Sequence, residues 1–183
     1  MKHPLLVLML FFVVAFDSFC QIQGYREDTI IPTFDLNFLI LKSSDKPEKK
    51  FEFLNTALAD FLEKFPNPDK NEDYYYEMDE VMARLISYNT SELYFLKNKL
   101  SDFRFQDSKF SIGNGENFIK VGDHYLLVEK LFPTYEIDID SNYITKNKCG
   151  VIRITSSNGE IVFDETIVII FNLENGKITE LLF

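Results

Sequence analysis

The sequence predicts an α+β protein, with about three helices in the first half packed on one side of an antiparallel sheet built by the second half. Three observations carry this. Apolar residues recur at intervals of three and four from Pro47 to about residue 102. They alternate in steps of two from residue 103 onward, and Asn158-Gly159 and Asn175-Gly176 punctuate that region as hairpin turns. Helices first and strands afterwards imply segregated layers, helices against one face of the sheet.

The chain opens MKHPLLVLMLFFVVAFDSFC, an apolar run from Leu5 to Phe16 behind a single Lys. A bilayer span needs about 20 apolar residues, so this run reads as the core of a secretory signal peptide, 1–20, cleaved after Cys20. Ser18 and Cys20 supply the small residues of the cleavage site. A lipid-modified Cys20 is the less favoured reading, because Asp17 and Phe19 replace the small residues such a signal wants. The expected location is secreted or periplasmic, with no membrane insertion after cleavage. The mature chain would keep one cysteine, Cys149, and therefore no internal disulfide.

Formal net charge is −10, and removing Lys2 and Asp17 with the leader leaves it unchanged. Phosphate backbones and anionic lipids are gripped by clustered Lys and Arg, so nucleic acid is excluded as an expected partner. Nineteen Phe and nine Tyr with no Trp predict an aromatic core.

Residues 21–46 read as a lead-in and linker, interrupted by Pro32, and 47–183 as a single α+β domain. Phe51, Leu54, Leu58, Phe61, Leu62 and Phe65 predict a first helix, stopped by Pro66-Asn67-Pro68. Met78, Val81, Met82, Leu85 and Ile86 predict a second, preceded by the acidic stretch NEDYYYEMDE. Asn89 and Glu92 form a capping box for a third, through Leu93, Leu96 and Leu100. Asn89-Thr90-Ser91 is also a glycosylation sequon, for which capping is the preferred role. From residue 103 the runs FRFQDSKFSI, NFIKVGDHYLLVEKLF, TYEIDIDSNYI, GVIRITS, EIVFDETIVIIFNL and KITELLF read as strands.

This order of elements, with Ile161 to Leu173 and NGKITEL at 175–181 closing the chain, resembles the nuclear-transport-factor-two-like superfamily. The resemblance implies a cone-shaped, cystatin-like curled sheet around a pocket, and homodimers formed through the sheet's outer face. Its members include enzymes, small-ligand binders and interaction domains.

Chemistry-bearing residues are few. His124 stands beside a Gly122-Asp123 turn and Cys149 at a strand start, both read as structural. EIDID at 136–140 alternates as a half-exposed strand does and lacks a calcium loop's spacing. No nucleotide, zinc or serine-hydrolase motif is present, and neither cofactor nor metal is expected. The remaining feature is Asp164-Glu165 inside a long apolar strand. Strict alternation puts Glu165 on the greasier face with Phe163 and Ile167, where a carboxylate with a raised pKa could serve as a general base. The preferred reading is a β-bulge that bends the strand. The sequence thus leads to a non-enzymatic domain binding a small apolar ligand or a protein partner, with a candidate pocket of Tyr75, Phe163, Glu165 and Ile167. Its alternative is a small isomerase- or dehydratase-type enzyme with Glu165 as base.

Overall fold

Strands, not helices, build most of residues 33–105. The computed structural model describes residues 33–77, 80–132, 135–138, 149–157 and 162–183, by backbone alone at 138 and 162–166. In chain order these form β1 (Phe34–Asp35), a 3₁₀ turn (Leu36–Phe38), β2 (Ile40–Ser43), β3 (Lys50–Glu52) and a single helix α1 (Leu58–Lys64). Then come β4 (Lys70–Tyr76), β5 (Val81–Tyr88), β6 (Ser91–Leu96), β7 (Lys99–Phe105), β8 (Phe110–Gly113) and β9 (Phe118–Lys120). A second 3₁₀ turn (Tyr125–Lys130) leads to β10 (Glu136–Asp138), β11 (Cys149–Ser157), β12 (Val162–Asn172) and β13 (Ile178–Leu182).

Nine strands make one sheet in the order β1-β11-β12-β13-β7-β6-β5-β4, with β10 also on β11. Among the described strands only β1 runs parallel to its neighbour. Four others make a small antiparallel sheet, β3-β2-β8-β9. Phe51 of β3 and Phe110 of β8 meet Phe61 of α1, and Phe110 meets Phe105 of β7, so the small sheet and α1 cover one face of the large one. The rings cross mostly edge to face at 5–6.5 Å, the geometry that aligns ring edges with neighbouring faces. Leu36, Leu39 and Leu41, from the expected lead-in, are buried in this core.

The expected fold class is corrected: the described residues are mostly β, and three helices do not form. Of the first predicted helix only Leu58–Lys64 is helical. Phe51 lies in β3, and the chain turns at residues 53–55. The helix ends where predicted, at the residue before Pro66, which proline keeps out of the α conformation. The second and third predicted helices are the hairpin β4–β5–β6–β7. Asn89 caps nothing; it sits at φ 54 in the two-residue turn from β5 to β6.

A strand buried on both faces explains the error. Ile86 and Tyr88 of β5 point into the core while Ala83, Leu85 and Ser87 are buried on the opposite face, so alternation vanishes and the apolar spacing imitates a helix. Lys97 and Asn98, both at positive φ, form the tight turn between β6 and β7. Asn175-Gly176 does join two antiparallel strands, but through a wider loop in which the Asn172 side chain accepts from the backbone of Glu174 and Asn175, and Gly176 alone takes positive φ. Asn158-Gly159 lies outside the described residues.

The bulge is present in the backbone. Ile154 faces Ile167 and Ser156 faces Phe163, so one residue of β11, Thr155, stands against three of β12, Asp164 to Thr166.

Candidate functional site

The face of the large sheet turned away from the core carries a groove of about 510 Å³ lined by Tyr74, Tyr76, Tyr94, Asp102, Arg104, Ile170, Glu180, Leu182 and Phe183. Register explains how residues so far apart in sequence share it. Tyr74 opposes Ala83, Leu85 opposes Tyr94, Tyr94 opposes Asp102, Arg104 opposes Leu182, and Glu180 opposes Ile170. Cross-strand partners point the same way, so these residues stand on one face, while Phe183 borders the groove from the inner side, where it packs on Phe53 and Phe103.

That face is concave. In a flat sheet β4 and β7 would lie about 14 Å apart, yet the Tyr76 hydroxyl donates to Asp102 Oδ2 at 3.0 Å across β5 and β6. Tyr74 meets Tyr76 and Tyr94 at 5.0 Å each, nearly edge to face. Ala83 beneath them is buried, and its small side chain lets the rings fold down over β5. Leu85 is shielded from water on this same face rather than in the main core.

The polar groups of the groove are held by one another. Arg104 Nε donates to Glu180 Oε1, which also accepts from Gln106. Tyr94 donates to Glu92 Oε2 at 2.9 Å. Burial, with Asp102 as acceptor and neighbouring charge, drives the Tyr76 phenol far above its ordinary range. Burial and the bond to Glu92 do the same to Tyr94. Both hydroxyls therefore stay protonated at any physiological pH, as donors rather than bases or nucleophiles.

A second concavity, about 330 Å³, lies between the small sheet and α1, lined by Lys50, Glu52, Asn55, Asp60 and Lys64. Among the described residues no three His, Cys, Asp or Glu side chains gather where they could hold a metal.

The residues singled out by sequence are dispersed. Tyr75 is exposed opposite Met82, on the other face from Tyr74 and Tyr76. Ile167 is fully buried in the core, and β13, β7, β6 and β5 stand between its strand and that of Tyr75. The side chains of Phe163 and Glu165 lie outside the described residues. His124 accepts from the Leu126 backbone as the cap of the second 3₁₀ turn and stacks on Tyr125. Its ring occupies the space that a Cβ at Gly176 would need. Cys149 is half-buried at the start of β11.

Sequence reasoning missed Tyr74, Tyr76, Tyr94, Asp102, Arg104 and Glu180. The signal was the run Tyr74-Tyr75-Tyr76: placed on a strand, it sends its outer two rings to one face. No family model, curated protein or solved structure matches the chain.

Proposed function

We propose that the protein is an exported, non-enzymatic binding domain and that the tyrosine-walled groove is where it holds its ligand. The observation that carries this is the pairing of concavity with neutralised polarity. Three aromatic rings and the side chains of Ile170, Leu182 and Phe183 supply apolar contact area, while the Tyr76 and Tyr94 hydroxyls, Asp102, Arg104 and Glu180 are each engaged with a neighbour. Such a site favours a ligand with a sizeable apolar surface and a few hydrogen-bonding groups, taken from a small molecule or from a side chain of a protein partner. Tyrosines that remain protonated suit recognition better than proton transfer. Export rests on the apolar run Leu5 to Phe16.

Two measurements test the reading. Saturation-transfer NMR with a library of small neutral aromatic and aliphatic alcohols should give binders that Tyr74→Ala and Tyr94→Ala abolish. Binders unaffected by both substitutions would place the site elsewhere and sink the proposal. N-terminal sequencing of the chain recovered from an exporting host should begin at Gln21; recovery of the intact leader would remove the export half.

A further inference from the structure

The composition argues against binding anions, yet the fold collects lysines that are scattered in sequence. On the outer face of the small sheet one rank of cross-strand partners runs Lys50, Lys42, Ser111, Lys120, through all four strands. Lys42 and Lys50 are direct partners, an arrangement that like charges make unfavourable. None of the three takes part in an ion pair recorded among the described residues.

An aromatic ring draws Lys42 and Lys50 together. Phe118 opposes Gly113 in the adjacent rank, and a Cβ at Gly113 would fall 2.5 Å from the ring, so glycine is what permits Phe118 to lie down across the sheet. The Lys42 ammonium stands 3.7 Å from the centre of that ring and the Lys50 ammonium 5.6 Å from it. Ser111 is small and buried, donating to the Lys42 carbonyl, and it leaves the space between Lys42 and Lys120 open. The neighbouring acids are occupied: Glu52, in the next rank, accepts from Asn55, and Asp123 accepts the Lys120 backbone N–H. Burial, then Lys50 and Lys120, lower the Lys42 pKa, so both neighbours act on the Lys42 ammonium.

We infer that Lys42 and Lys50, gathered on the Phe118 ring, together with Lys120 at the end of the same rank, form a binding site for a multiply charged oxyanion such as a phosphate or sulfate group. A ring can draw two cations together but cannot cancel their charge, and an anion bridging them would. The site is independent of the tyrosine groove, which lies on the large sheet.

The test is a titration of the full mature chain with inorganic pyrophosphate, against sodium chloride at matched ionic strength, followed by melting temperature and by backbone amide shifts. Pyrophosphate should raise the melting temperature in a saturable way beyond the chloride control, with shifts centred on 40–43, 50–52 and 118–120. Lys42→Met should lower pyrophosphate affinity at least tenfold while leaving the ligand-free protein as stable as before or more so, since it removes repulsion. Phe118→Leu should weaken binding with all three lysines intact. Inorganic phosphate and inorganic sulfate run beside pyrophosphate distinguish the two oxyanions. A pyrophosphate effect equal to that of chloride, or affinity unchanged in Lys42→Met, would overturn the inference. If a variant does not fold, shifts in the unsubstituted protein falling outside these strands would overturn it alone.

Discussion

The two faces of the nine-stranded sheet use the same kind of residue for opposite ends. On the inner face, Phe95, Phe103 and Phe105 are sealed by α1, by Phe110 of the small sheet and by Phe53 and Phe183, and their work is dispersion and water exclusion. On the outer face, Tyr74, Tyr76 and Tyr94 pack against one another just as closely, but they line an open groove. Each hydroxyl gives the outer face a polar handle that the inner rings lack. Rings with a polar tip can cover a sheet and still meet a ligand; rings without one can only be buried.

The largest effect expected from breaking this contrast is on the inner side. Phe61 touches rings from β3, β5, β6 and β8, so Phe61→Ala should cost about 3–5 kcal/mol by cavity formation. Urea unfolding would show it as a fall in midpoint, and a loss below about 1 kcal/mol would mean that α1 is not the plug between the sheets.

An intermediate effect is expected where the sheets are joined. Asp107, in the link from β7 to β8, accepts from the Thr90 backbone and hydroxyl, the Ser91 hydroxyl and the Lys109 backbone. Burial alone would raise its pKa, but these bonds outweigh burial and hold it below the ordinary carboxylate value. A lowered folded pKa means stability that is complete above the unfolded value, about 3.9, and lost as pH falls through the folded one. Asp107→Ala should therefore cost about 1–3 kcal/mol at neutral pH, and the gap between variant and parent should close below about pH 4. Acid unfolding curves that stay parallel would contradict this.

The smallest effect should come from the outer face. Tyr76→Phe removes one donor to Asp102 and should cost about 1 kcal/mol. Its clearer signature is optical. Tyr76 and Tyr94 are raised far above the ordinary phenol value, and Tyr88, by burial and then Asp69, is pushed up to about 12. Raised folded values stabilise the fold below about pH 10, and that stabilisation is lost as pH climbs through them. Absorbance titration should thus show a late group of phenols that ionise only with alkaline unfolding, one fewer in Tyr76→Phe. A titration in which all nine tyrosines ionise together near pH 10 would contradict the burial of these three phenols.

How much was legible in the sequence follows from what each segment faces. The stretch after residue 103 alternates and its described residues form strands except at Tyr125–Lys130, read as strand but folded as a 3₁₀ turn capped by His124. The bulge at Asp164 to Thr166 was expected because two acids interrupt an apolar run. The hairpin β4–β5–β6 was misread because its middle strand is buried on both sides, by the core and by the tyrosine wall. The groove was invisible for a related reason. Its residues come from β4, β6, β7, β12 and β13, and no local pattern reports which strands a curled sheet brings across from one another.

By itself, then, the sequence determined the aromatic core, the turns at Gly122-Asp123 and Asn175-Gly176, and the bend in β12, because each depends on neighbouring residues alone. Tertiary structure decided the strand order, the concave outer face and the lysine rank on Phe118. These depend on which strands pair, and pairing is settled by burial summed over the whole sheet, a quantity no single segment carries.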